Sequence, residues 1–209
     1  MKIYLCDLVH DIGQRTRVIP LGIGTIACAV KDSYNDQIST KLFIDAKKII
    51  EKLKSDPPDV LAFSNYIWNT RLSLKIAKLA KEIKPNILTV MGGPHARPDQ
   101  EGLKNFLDKN KQIDAYIPFE GEAPFAALMG ECLKKKTFDI KKIGFVKGSF
   151  LNLENYKFER LMVKSDDTSK KEKYNSAYYT INRYSSPYLN GDLDEFLDDP
   201  SLSPMLESN

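Results

Sequence analysis

Four short stretches hold residue types able to grip or admit a large ligand. In "MGGPHARPDQ" (91–100), Gly92 and Gly93 follow an apolar run, and with no Cβ they let the backbone turn sharply and come close to something bulky. A tight turn alone is the competing reading. His95, two residues on, either caps the next helix or touches a ligand. In "FSNYIWNT" (63–70), Ser64 offers a hydroxyl to a ligand or to neighbouring backbone, and Asn69 and Thr70 stand where a helix begins. Trp68 in the same loop suits packing at that helix start better than stacking on a ligand. "FEGEAP" (119–124) has Gly121 beside two acids, Glu120 and Glu122, which favour the amino end of a helix. "DLVHDIGQ" (7–14) brings a histidine, His10, and a glycine, Gly13, into the first loop.

These stretches fall at corresponding places in a repeating pattern. Strand-like runs at 2–8, 38–44, 59–64, 86–91 and 113–119 alternate with helix-like runs at 21–30, 46–53, 72–83, 99–109 and about 122–134. Helical spacing of Ala46, Ile49, Ile50 and Leu53 is stopped by Asp56-Pro57-Pro58, and that of Leu72, Ile76, Leu79 and Ile83 by Lys84-Pro85. The strand runs are continuously apolar, as strands covered on both faces are. The expected fold is therefore α/β, an open, doubly wound, parallel five-stranded sheet with a C-terminal extension. Such sheets bind ligands beyond the carboxyl ends of their strands. The loops 8–20, 64–70, 91–98 and 119–124 stand there, and they contain the four stretches above. After residue 137 the rhythm changes: 143–147 and 158–163 suggest a small hairpin, 165–173 a charged loop, and the part from Tyr174 a linker or docking tail.

Bulk properties narrow the class. The 209 residues, 42% hydrophobic and 10% aromatic, can build a substantial core. A net charge of +3, with lysine clusters scattered along the chain, gives no reason to expect a nucleic-acid partner. No apolar run approaches the roughly 20 residues a membrane helix needs, and the N-terminus lacks a signal-peptide layout. A cytoplasmic protein without a membrane partner is expected. Cys6, Cys28 and Cys132 are far apart, without metal-ligand spacing, and suit buried packing.

Taken together, "IPLGIGTIA", "LAFSNYIWNT", "VMGGPHARP" and "YIPFEGEAPFAALM" resemble the cobalamin (vitamin B12)-binding domain at the front of many radical S-adenosylmethionine enzymes. The tail "SSPYLNGDLDEFLDDPSLSPMLESN" resembles the connector before their catalytic barrel. The resemblance implies a corrin ring laid over the strand ends and a nucleotide tail in a crevice between strand and helix. It implies that Gly92 and Gly93 let that tail pass, that Ser64 hydrogen-bonds its base or ribose, and that Asn69 and Thr70 reach its phosphate or free backbone amides. Gly13, His95, Gly121 and Glu122 are implied as further contacts to the cofactor.

Classical members of the wider family carry D-x-H-x-x-G in the first loop, with the histidine coordinating cobalt from below and the aspartate tuning it. Here His10-Asp11-Ile12-Gly13 keeps the later part, while Leu8 replaces the aspartate and Asp7, one residue off, should point to the opposite face. His10 is thus a candidate cobalt ligand, with a plain loop histidine near the corrin as the other reading. The C-x-x-x-C-x-x-C array that holds a four-iron four-sulfur cluster is absent from the chain, so no catalytic residue is assigned. The implied organisation is a cobalamin-binding domain over 1–137 and a hairpin plus linker over 138–209. That linker would lead to a radical S-adenosylmethionine barrel, the partner that supplies the iron–sulfur cluster and S-adenosylmethionine. Two rivals stand: a degenerate docking scaffold of the same architecture, and a flavodoxin-like nucleotide binder. The first loop's lack of a phosphate cradle disfavours the second.

Overall fold

The computed structural model describes residues 1–9, 17–153, 158–161 and 184–205. In chain order these form β1 (Lys2–Cys6), β2 (Arg17–Val18), α1 (Leu21–Tyr34), β3 (Ser39–Phe43), α2 (Ala46–Ser55), β4 (Val60–Ser64), α3 (Thr70–Ile83), β5 (Leu88–Gly92) and α4 (Gln100–Lys109). There follow β6 (Ala115–Ile117), α5 (Glu122–Lys135), the single turn α6 (Ile140–Ile143), β7 (Phe150–Leu151), the short α7 (Asp194–Leu197) and β8 (Leu202–Ser203). The main sheet runs β3-β1-β4-β5-β6-β7. Its first five strands are parallel, as expected, and β7 adds an antiparallel sixth against β6.

Strand alternation divides the core into two layers. Ile3, Leu5, Ala62, Val90, Ala115 and Ile117 face one side, where they pack with Ile23, Ala27 and Val30 of α1 and Leu128 and Met129 of α5. Tyr4, Cys6, Phe63, Met91 and Tyr116 face the other, against Ile49 and Leu53 of α2, Ile76 and Ala80 of α3, and Leu103 and Leu107 of α4. Local chemistry sets where several helices start. Asp45 caps α2 by accepting from the Lys47 and Lys48 amides, and Asp99 caps α4 by accepting from the Gly102 amide at 2.8 Å.

Two departures from the sequence pattern have physical causes. Helix α1 continues past Val30 through the polar Lys31–Tyr34. Partners elsewhere hold this last turn: Tyr34 Oη donates to the Ala126 carbonyl of α5 at 2.8 Å, and Lys31 pairs with Asp192. Of the hairpin expected from 143–147 and 158–163, the described residues form no strand, though the Gly148 amide donates to the Glu159 carbonyl at 2.7 Å, and 162–163 lie outside the described residues. Ile140 and Ile143 bury as one helical turn, and the strand that follows, at Phe150–Leu151, finds a stronger partner in the exposed edge of β6. The charged 165–173 stretch and the start of the tail lie outside the described residues.

The sheet reverses its winding between β1 and β4, since α1 leads outward to β3 while α2 returns to the other side of β1. At this switch point the connections diverge and leave an opening beyond the strand ends, the usual ligand position in such folds.

Candidate functional site

A cleft of about 350 Å³ opens at that place. Its floor is Leu5 of β1, Ala62 of β4 and Val90 of β5; its rim is Ser64, Gly92 and Ile117, the last residues of β4, β5 and β6. Gly22, Ile23 and Ile26 of α1 wall one side, and Phe119 to Glu122, leading into α5, wall the other. The lining is mainly apolar, with a few polar groups at the mouth, the composition of a site for an organic ligand. A larger basin, about 920 Å³, lies at the amino-terminal edge of the strands among Lys81, Lys104 and Lys141. It is the polar floor of the molecule, at the wrong end of the sheet for a doubly wound binding site, and the carboxyl-end cleft is the better candidate.

The glycines of the third stretch do two different jobs. A Cβ on Gly92 would meet the Ile117 carbonyl at 3.0 Å, so this residue lets the ends of β5 and β6 lie close together at the cleft rim. Gly93 has φ +124°, and a Cβ there would come within 2.8 Å of the Asn65 carbonyl oxygen. It lets the β4 and β5 loops lie against each other, where the Asn65 amide donates to the Gly92 carbonyl at 2.6 Å and the His95 amide donates to the Asn65 carbonyl at 3.3 Å. Only glycine tolerates both conditions. His95 itself is exposed, and the cap of α4 is Asp99 rather than His95.

Ser64 reaches a partner that the sequence pattern only half revealed. Its hydroxyl donates to the Asp7 carboxylate, on the same face of the sheet as Leu5. Burial pushes the Asp7 carboxyl up from its ordinary value, and the Ser64 hydrogen bond partly offsets this. Leu8, in the place of the classical aspartate, is fully buried on the opposite layer among Cys6 and Phe63. The alternation expected for Asp7 and Leu8 is therefore present. His10 and Gly13 lie outside the described residues.

Asn69 and Thr70 face inward. Asn69 Oδ1 accepts from the Tyr66 amide at 2.9 Å, and Thr70 Oγ1 donates to Asn65 Oδ1 at 2.7 Å. Asn65 Nδ2 in turn donates to Tyr116 Oη at 3.0 Å, and Tyr116 Oη donates to the Gly93 carbonyl at 2.7 Å. Asn65, Asn69 and Tyr116 are fully buried. This network fixes the β4–α3 loop to the β5 turn. Neither Asn69 nor Thr70 lines the cleft, whereas Ser64, Gly92, Gly93, Gly121 and Glu122 do. Asn65 and Tyr116 escaped sequence reading because their partnership needs β4, β5 and β6 already aligned; no local motif encodes it.

On the far wall, Thr25 Oγ1 of α1 donates to Glu122 Oε1 at 2.9 Å, tying the two helices together at the mouth. Phe119 has φ +65°, rare for a bulky residue, and the Arg160 guanidinium lies over its ring, 4.2 Å from the centroid, while bonding Glu120 at 3.2 Å. Across the opening Trp68, 56% exposed, stacks on Tyr66 with ring centroids 4.6 Å apart. Packing against Tyr66 agrees with the role expected for Trp68, but the pair stands on the surface rather than under the helix start.

Such an arrangement, an α/β sheet with an open apolar cleft at its switch point and a polar rim, defines a ligand-binding module of the doubly wound class. A family model described as the B12 binding domain matches residues 14–129, over half of the 209-residue chain, and the chain belongs to this family. It is similar to the cobalamin-dependent radical SAM methyltransferase TokK of Streptomyces tokunonensis, 50% identical over 72 residues, which are 34% of this chain and 10% of that protein. It is similar also to the 2-(S-pantetheinyl)-carbapenam-3-carboxylate methyltransferase of Streptantibioticus cattleyicolor, 45% identical over 76 residues, 36% of this chain and 11% of that one. An uncharacterized methyltransferase of Pyrococcus horikoshii is 31% identical over 115 residues, 53% of this chain and 24% of its own length. The chain thus spans between a tenth and a quarter of the relatives it matches. Among the described residues no helix is long and apolar enough to cross a membrane.

The residues fit a cobalamin. A bulky cofactor with a slender arm needs a gap beside the sheet, and Gly22, with nothing within 4 Å of its Cβ position, leaves one on the α1 side of the cleft. The floor is apolar, and the rim carries hydrogen-bonding groups from Ser64 and Glu122.

Proposed function

We propose that this chain holds cobalamin for a larger radical S-adenosylmethionine methyltransferase. The carrying observation is the open, glycine-flanked cleft between α1 and the ends of β4 and β5. Bound cobalamin supplies a cobalt centre able to carry a methyl group; the protein's own share is to bind, orient and shield it. Leu5, Ala62 and Val90 exclude water from the cleft. Gly92 and Gly93 allow close backbone approach, and Gly121 and Glu122 stand at the mouth. With Asp7 ionised, the Ser64 proton is committed to it, so Ser64 Oγ faces a ligand as an acceptor for an N–H or O–H group. Asn69 and Thr70 act through the loop they brace. His10 would be the candidate to hold the cobalt, with a plain loop histidine near the corrin as the other reading.

The similarity to two named methyltransferases supports methyl transfer as the use of the cofactor. On this reading residues 1–137 form the binding module, and the part beyond links it to a barrel domain. That domain brings the iron–sulfur cluster and S-adenosylmethionine, since the 209 residues lack the three-cysteine array.

Mixing the pure chain with hydroxocobalamin, removing free cofactor and recording the visible spectrum tests the reading. Retained corrinoid absorbance is expected. A colourless, folded protein would favour the degenerate scaffold instead. For His10, the spectrum of bound cofactor should shift in His10→Ala; an unchanged spectrum removes it from the axial position.

A further inference from the structure

Helix α1 has two working faces. One, through Gly22, Ile23 and Ile26, walls the cleft. The other is covered by the chain's own C-terminal part. Leu193 is fully buried against Gly24, where an added Cβ would lie 3.2 Å from the leucine Cδ2 and 3.0 Å from Pro187 Cβ. Asp192, its side chain 3% exposed, pairs with Lys31. Asn190 Nδ2 donates to Cys28 Sγ at 2.9 Å, and the Ser185 amide and hydroxyl donate to Asp32 at 2.6 and 3.0 Å. Burial first, and the nearby Asp192 charge second, push the Cys28 thiol up to about 12, in keeping with a sealed contact. Further on, β8 pairs with β2 in parallel, and the Ile19 amide donates to the Ser203 carbonyl at 3.0 Å, two residues before α1 begins.

Besides the burial of Leu21 and Ile23 in the core, the start of α1 is held by few side-chain ties among the described residues. Pro20, at its cap position, makes no side-chain cap. Among the described residues, side-chain ties toward α5 include Thr25 to Glu122 and Tyr34 to the Ala126 carbonyl. Leu193, Phe196 and Leu202 belong to the same core layer as Ile19, Leu21 and Ile23, so the segment is packed into the molecule beside the cleft wall.

We infer that residues 184–205 act as a strap that sets the position of α1 and thereby the width of the cleft, with Leu193 and Asp192 as positioning residues. The consequence for cofactor affinity rests on the proposed cobalamin function; the positioning of α1 does not. Any movement of the chain at the strap is then felt at the cleft, and by linkage a bound ligand tightens the strap to the same degree.

Hydrogen exchange of the cofactor-free chain tests the positioning directly. Leu193→Ala should speed exchange across 19–30 as well as 184–205 while β4 and β5 stay protected, and Leu193→Ile should restore the native pattern. Faster exchange confined to 184–205 would overturn the inference. If Leu193→Ala speeds exchange everywhere, β4 and β5 included, it has unfolded the chain. Gly24→Ala, which adds one methyl against Pro187 and Leu193 and favours the helix, then decides by the same contrast. A second arm titrates hydroxocobalamin: the variant that frees α1 should bind about tenfold more weakly, within the usual range of coupling between sites. Equal affinity despite a freed α1 would overturn the link to the cleft. Failure of the unaltered chain to bind would instead overturn the cobalamin function, leaving the exchange contrast to judge the strap.

Discussion

Asp7 and Tyr116 show how single side chains prepare this site. Burial holds the Asp7 carboxyl above its ordinary value, with Ser64 as its hydrogen-bond donor. A carboxyl whose folded pKa is raised binds more protons folded than unfolded, so its contribution to stability is greatest at low pH. That contribution falls as pH climbs from the unfolded value of about 3.9 through the folded one. Asp7→Asn keeps an acceptor for Ser64 and removes the titration. Its melting temperature relative to the parent should therefore rise between pH 4 and pH 7, and a difference that stays flat or shrinks would contradict the buried-carboxyl account. Tyr116→Phe leaves buried Asn65 Nδ2 without its acceptor and the Gly93 carbonyl without its donor, at a cost of about 1–3 kcal/mol read by urea unfolding. The sequence marked Ser64, Gly92 and Gly93 because their chemistry is local to a strand end. Asn65 and Tyr116 carried no such mark: their value depends on three strands in register, which no window of residues reports.

Among the elements, parallel strands and amphipathic helices were legible because each is written in its own residues. Continuous apolar runs pointed to β1, β4 and β5, and the spacing of Ala46, Ile49, Ile50 and Leu53 pointed to α2; the caps by Asp45 and Asp99 emerged only in the structure. Elements that depend on a distant partner were not. The last turn of α1 is stabilised by α5 and by Asp192, and β7 exists as a strand only because β6 offers an edge. Phe150 is the test of that edge: fully buried, it packs into the layer with Tyr116, near the Phe158 ring. Phe150→Ala should cost about 3–5 kcal/mol in chemical denaturation, the range for emptying a packed aromatic site. A loss under about 1 kcal/mol would mean that β7 is an ornament on the sheet rather than part of its core.

At the scale of the whole molecule, a doubly wound sheet and the family likeness agree on where a ligand goes, and the strap ties that place to the chain's C-terminal part. A site at the carboxyl ends of the strands was foreseeable from the strand–helix alternation, while its place beside β1 needed the strand order of the structure; the strap was not foreseeable, because its contacts join residues some 160 positions apart. The most direct test of the account is a hydroxocobalamin titration, followed by absorbance, of the parent chain and of Gly22→Leu. Gly22 lines the cleft and a Cβ there would meet nothing within 4 Å, so the wall admits a larger side chain at this point, and leucine favours the helix by about 0.8 kcal/mol. The parent should bind one equivalent, and Gly22→Leu should melt no lower yet bind at least about tenfold more weakly, a loss of roughly 1.4 kcal/mol or more. Equal binding by both chains would put the ligand somewhere other than this cleft, and no binding by the parent would contradict the function itself.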